Sequence, residues 1–280
     1  MSLADLIKTN WTSLKKGSSR AALTTYTLAG VLLLSPANCT PNNNTPREEK
    51  KFIYEKIDPN NRRIKNSMKW KDHYFAVAKH YPQFSKQFDL SLNDTAAALA
   101  AFTATESGGN PNAESGSGAK GLTQIIDSTG KGISAIRGYE QFPEGCTLDP
   151  AQNCYVLKGK TDNRTKPYIS LAGGALVIHS KAEWLRKKGG FEKATPQDLL
   201  LGGITAYNTG EKCVKQAAEV AGSTSYATWQ PYLTPELIEK CLGFDAKAAK
   251  KQSHDAKAFA PRVLGFYRQF RIKPEFRQPH

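Results

Sequence analysis

The run from Thr95 to Thr105, TAAALAAFTAT, contains neither glycine nor proline and is dominated by alanine. It constrains the fold more than any other stretch, because alanine is the strongest helix former and no breaker interrupts the run. Asn93–Asp94 offers an N-cap upstream, and Glu106 closes the run ahead of Ser107-Gly108-Gly109-Asn110-Pro111. Leu99, Phe102 and Glu106 fall at i, i+3 and i+7, so the spacing predicts a half-buried carboxylate on the face that carries the large apolar side chains. Gly108–Gly109 provides a left-handed cap, which places the negative end of the helix dipole within a turn of that carboxylate. Desolvation and dipole both favour the protonated acid.

A carboxylic acid held protonated near neutrality is what cleavage of a glycosidic bond requires, since the leaving oxygen must receive a proton. Taken alone, Glu106 reads more readily as an ordinary helix-end glutamate pairing with a nearby lysine. Two further motifs bear on the choice. Gly121-Leu122-Thr123-Gln124 follows a glycine- and serine-rich stretch, and Ala206-Tyr207-Asn208-Thr209-Gly210 ends a later helical pattern.

The N-terminus reads as targeting. Lys8, Lys15, Lys16 and Arg20 precede an apolar stretch, Ala21 to Leu34, that is short for a bilayer span and suits a signal peptide. Ser35-Pro36-Ala37 supplies a small-x-small cleavage pattern, so residues 1–37 are expected to direct export. Cys39 stands where a lipoprotein cysteine would, although Asn38 is unusual before one; secretion or lipid anchoring to the periplasm or cell envelope is preferred to a retained transmembrane helix. Residues 38–51 read as a flexible linker, 52–92 as a helical extension packed on the core, and 93–280 as the main domain with a turn-rich or hairpin insertion at about 138–166. Helices are expected at Phe52 to Ile57, Met68 to His80, Asp127 toward Ile136, Ile169 to Lys187, Pro196 to Ala206, Pro235 to Leu242 and Phe259 to Phe270.

With Cys39 set aside, Cys146, Cys154, Cys213 and Cys241 suggest two disulfides in an exported chain. Three connectivities are possible, and the shortest loops join Cys146 to Cys154 and Cys213 to Cys241. No zinc-ligand spacing is present, so neither metal nor cofactor is expected. The formal net charge of +14 implies an acidic partner. No helix-turn-helix, zinc-finger or aromatic RNA-binding pattern accompanies it, which disfavours nucleic acid and leaves an anionic cell envelope as the sharper reading.

The three motifs in this order, with Ile169-Ser170-Leu171-Ala172-Gly173-Gly174-Ala175 and Ala260-Pro261-Arg262-Val263-Leu264, resemble the lytic transglycosylase domain of the soluble lytic transglycosylase type. The resemblance spans about Ala96 to Phe270 and departs from the family at Thr123, commonly Met, and at the cysteine-bearing insertion. It implies a mainly α, lysozyme-like domain with a deep glycan cleft. It also implies cleavage of the MurNAc–GlcNAc linkage of peptidoglycan to a 1,6-anhydroMurNAc end. Glu106 then matches the catalytic acid and base, while Ser107, Gln124, Tyr207 and Asn208 match polar cleft residues. Tyr207 is expected to orient the Glu106 carboxyl, Asn208 to tie the third motif to the glutamate helix, and Gly121 and Gly210 to allow close backbone approach. Trp184, Tyr226, Trp229 and Tyr232 are either sugar-stacking or core aromatics. Glu114, in a Gly/Ser loop, and Asp127, a ready helix cap, are poor candidates for a second catalytic carboxylate. A hydrolytic muramidase or chitinase-like glycosidase and a silent glycan-binding assembly protein remain the alternatives. The settings such a domain serves include wall remodelling, a secretion or conjugation apparatus, and phage entry.

Overall fold

The computed structural model describes residues 54–134, 157–158 and 161–277. The proposed signal segment, the linker through residue 51, Cys39, Cys146, Cys154 and most of the proposed insertion lie outside them. The described chain is mainly helical. In order it forms α1 (Arg62–Met68), α2 (Lys71–His80), α3 (Pro82–Phe88), α4 (Leu92–Glu106) and α5 (Asp127–Ser134). There follow β1 (Leu157–Lys158), β2 (Thr161–Asp162), α6 (Pro167–Lys188), α7 (Pro196–Thr209), α8 (Glu211–Ala221) and α9 (Tyr226–Trp229), then α10 (Pro235–Leu242) and α11 (Ala246–Arg271). The two strands pair antiparallel, with Leu157 opposite Asp162 and Lys158 opposite Thr161.

Helix α4 is the axis of the fold. Every residue from Thr95 to Thr105 is buried, so the expected one-sided apolar face is replaced by burial all round, as suits a helix with small side chains on every side. α1, α2, α3, α6 and α11 all pack against it, with α11 making the broadest contact. α6 and α7 form the second large helix pair. The stripe Leu171, Ala175, Ile178, Ala182 and Leu185 of α6 is buried as its helical spacing predicts.

Several boundaries differ from expectation for identifiable reasons. The N-cap of α4 is Ser91, whose side chain accepts from Asp94 N, and not Asn93–Asp94. The Asp94 carboxylate is instead held by Tyr267 and Arg271 of α11, at 2.9 and 2.8 Å. Residues 54–57 are not helical; there Glu55 N bonds to Pro261 O at 2.9 Å. The expected helix from Met68 to His80 is broken at Lys69–Trp70 into α1 and α2, and Pro82 starts α3 as a first-turn proline. Thr195 caps α7 as expected.

α11 begins well before Phe259, and its lysine-rich half carries no apolar signal strong enough to mark it. Pro261 lies inside this helix. Proline cannot donate to the carbonyl four residues earlier, and that carbonyl, Lys257 O, accepts from the Gln230 side-chain amide at 2.8 Å.

Cys213 on α8 and Cys241 on α10 are free thiols. They are neighbours, near enough that Cys241, after burial, helps to push the Cys213 thiol up from its usual range, and the Cys241 thiol donates to Gln216 Oε1 at 3.1 Å. No described helix is long and apolar enough to cross a membrane.

If the Gln230 amide replaces the lost helix bond at Pro261, Gln230→Ala leaves Lys257 O unpaired. Urea unfolding is expected to show a loss of about 1 kcal/mol.

Candidate active site

Glu106 is the last residue of α4, and Ser107 caps the helix. Gly108 and Gly109 then turn the chain with φ of 63° and 79°. Beyond them the chain folds back on itself through bridges Glu114–Lys120 and Lys120–Ile125, so the Gly/Ser stretch is a set of tight turns.

The turn Gly121–Gln124 is where the three motifs meet. Ser107 Oγ donates to Leu122 O at 2.9 Å, and the Tyr207 hydroxyl of α7 donates to Thr123 O at 2.7 Å. Two successive carbonyls thus accept one bond from the glutamate helix end and one from the third motif. The Tyr207 ring also stands edge-on to Phe102, 4.9 Å between centroids and one helical turn before Glu106. Gly121 adopts φ +85°, and a Cβ there would lie 1.7 Å from Arg164 O, so no other residue fits. Thr123 is fully buried, its hydroxyl donating to Ser170 O at 2.8 Å. It packs against Gly174, where a Cβ would meet Thr123 Cγ2 at 2.6 Å.

Gln124 has φ +53°, a conformation few non-glycine residues adopt. Its amide nitrogen offsets the strain by donating to Ala113 O and Gly121 O, at 3.0 and 2.9 Å. Ser107 and Gln124 therefore spend donor capacity on the loop itself. Tyr207 does likewise, its hydroxyl going to Thr123 O and not to the Glu106 carboxyl. Asn208 is not tied to the glutamate helix either: its Oδ1 accepts from Gln252 Nε2 of α11 at 2.7 Å. Gly210 adopts φ +80° between α7 and α8, with no heavy atom near enough to crowd a Cβ. Its glycine is required by conformation and not by close approach.

Arg164, which has no motif or spacing to mark it, locks the motif turn from outside. It is 3% exposed, grips Asp162 through Nε and Nη2 at 2.9 and 2.8 Å, and donates Nη1 to Gly118 O and Ile125 O at 3.0 Å. Nη1 also pairs with Asp127 at 2.5 Å. Asp127 thus opens α5 while bound to Arg164, and Glu114 pairs with Lys120 at 3.6 Å. Of the candidate stacking aromatics, Tyr226 and Trp229 are core residues at 2% and 0% exposed. Trp184 is partly buried against the core, and Tyr232 is exposed. Cavities of about 320 Å³ beside α1, including Asn61 and Met68, and about 340 Å³ beside α11, including Tyr54 and His254, are lined by none of the three motifs. Among the described residues no group of three or more His, Cys, Asp or Glu could hold a metal ion.

Glu106 is half-buried, and loss of water around its carboxyl pushes the pKa from 4.5 up to about 8. Burial first, and the nearby Glu106 charge second, push the Tyr207 hydroxyl well above the usual phenol range. The helix dipole contributes less than the sequence suggests, because Arg63 of α1 donates to the Ala104 and Thr105 carbonyls at the negative end of α4.

A raised carboxyl pKa has a stability consequence. Between pH 4.5 and about 8 the folded chain binds more protons at Glu106 than the unfolded chain, so stability contributed by this group falls as pH rises through that window. Glu106→Gln is expected to be more stable than the parent at pH 7, by roughly 1–3 kcal/mol after discounting for residual solvent. The gap should close as pH falls below 4.5. Urea titrations at two pH values measure it.

A family model described as Transglycosylase SLT domain matches residues 89–230, which takes in all three motifs. No curated protein matches the chain. That match covers about half of the chain and shows its family: the chain belongs to the transglycosylase SLT family, lytic transglycosylases that act on the glycan strands of peptidoglycan.

Proposed function

We propose that the protein cleaves the β-1,4 bond between MurNAc and GlcNAc by a non-hydrolytic route, with Glu106 as its single acid and base. The observation that carries this reading is the half-buried Glu106 carboxyl at the end of a helix buried from Thr95 to Thr105, next to the Ser107 that bonds the Gly121–Gln124 turn. Loss of water there pushes its pKa up to about 8, which favours the protonated acid at neutral pH. Glu106 gives its proton to the glycosidic oxygen as the C1–O bond breaks. The MurNAc acetamido group shields the electron-poor C1, and the Glu106 carboxylate then takes the proton of the C6 hydroxyl as O6 closes on C1. The acid is regenerated and no water is consumed.

A hydrolytic mechanism calls for a second carboxylate as nucleophile or water-holder. Glu114 and Asp127 are each engaged by a cation, which favours the substrate's own groups over a protein partner. Exposed lysines on the first half of α11, at 247, 250 and 251, support attraction to an anionic cell envelope. The apolar stretch Ala21 to Leu34 supports export to that envelope, with Cys39 a lipid-anchor candidate.

Digestion of purified peptidoglycan is expected to release fragments with anhydro ends, each lighter by one water than its hydrolytic counterpart. Glu106→Gln should lose about 10²–10⁴-fold in rate, and the parent's kcat should decline above about pH 8 as Glu106 loses its proton. Hydrated reducing ends would establish a muramidase instead. Equal digestion by parent and variant would remove Glu106 from the chemistry, and binding without cleavage by the parent would indicate an assembly protein.

In an oxidising compartment the adjacent Cys213 and Cys241 thiols are expected to bond. Two protons leave and two electrons pass to a disulfide-donating oxidant. A peptide map of exported protein without reductant should contain the 213–241 bridge; complete alkylation of both cysteines would refute it.

A further inference from the structure

The end of α4 is fixed largely by residues that precede the family-matching segment 89–230. Arg63 on α1 places Nη1 3.3 Å from Ala104 O and 3.2 Å from Thr105 O, the carbonyls just before Glu106. Trp70, which links α1 to α2, donates its indole N–H to Gly109 O at 2.9 Å, three residues after Glu106. Between these anchors the chain presses on α1: a Cβ on Gly109 would come within 2.6 Å of Ser67 N, and one on Gly108 would touch the Arg63 stem at 3.4 Å.

Last-turn carbonyls of a helix have no partners within it, and such groups are normally left to water or to a cap. Here a guanidinium takes two of them, and an indole takes the carbonyl of the turn that follows. The backbone of Glu106 is thereby held from both sides, by side chains whose polar groups point at the acid's own segment and not into the core.

We propose that Arg63 and Trp70 are positioning residues for the reaction, fixing the Glu106 carboxyl relative to the Gly121–Gln124 turn, so that the extension at 62–70 is part of the catalytic unit. This rests on Glu106 being the acid. The bonds to Ala104 O, Thr105 O and Gly109 O set where the side chain starts, while Ser107 Oγ on Leu122 O sets how that start meets the turn. Neither Arg63 nor Trp70 is required to touch the glycan.

The test uses the full chain and soluble glycan-strand fragments, with initial rates measured well below the unfolding midpoint and folding verified by circular dichroism. Arg63→Met and Trp70→Phe, which removes the N–H and keeps a ring, are each expected to lower kcat about tenfold or more. KM should stay within about twofold. Arg63→Lys, which retains a charged donor, should recover most of the loss. Should Arg63→Met fail to fold, Trp70→Phe and Arg63→Lys decide by the same split. Unchanged kcat in the folded variants, or a rise in KM with kcat intact, would overturn the proposal. Glu106→Gln run alongside separates the two claims: full activity there defeats the assignment of the acid, whereas an inactive Glu106→Gln beside fully active Arg63 and Trp70 variants defeats only the positioning role.

Discussion

Alanines at 97, 100, 101 and 104, each fully buried, let neighbouring helices close around α4 on every side. That enclosure governs the chemistry. A helix sheathed in apolar side chains to its last turn delivers whatever residue ends it into a place poor in water, and here that residue is Glu106. The cost of charging a carboxyl there appears as a pKa near 8. Such a group destabilises the folded state at neutral pH and suits a proton donor. If Glu106 is the acid proposed above, function and stability pull against each other at this one side chain, and the packing of the rest of the domain offsets the loss.

The polar residues of the three motifs work mainly on one another. Ser107 and Tyr207 converge on the carbonyls of Leu122 and Thr123, Gln124 stitches its own strained turn, and Asn208 is held by Gln252 from α11. Arg164 closes the assembly from the far side. Short polar side chains fixed this way cannot reorganise cheaply, because each move would leave a part-buried donor or acceptor unpaired. The result is a hydrogen-bonded frame at the end of α4, beside a carboxyl whose pKa is raised by loss of water, which is the condition that the proposed role of Glu106 as a proton donor requires.

Much of this was legible in the residues. The unbroken alanine run, the glycine pair after Glu106, the capping Thr195 and the stripe on α6 each carry a local signal whose physical cause acts within a few residues. The residues without a local signal depend on distant partners. Nothing around Arg63, Arg164 or Gln252 marks them as holding the site, since their meaning comes from carbonyls and an amide that folding brings to them. Tyr207 shows the same limit in reverse: its place beside Glu106 followed from the motif, but the destination of its hydroxyl was set by the Thr123 carbonyl across the turn. The lysine-rich start of α11 has helix propensity without an apolar stripe, which is a weak local signal.

The central claim is that burial at the end of α4 holds Glu106 as a neutral acid. Titration of the Glu106 side-chain carboxyl by ¹³C NMR in the full chain, assigned by comparison with Glu106→Gln, tests it directly. A midpoint near 8 is the predicted result; a midpoint near the ordinary value of 4.5 would contradict the account, because the acid would then be charged wherever the enzyme is asked to work.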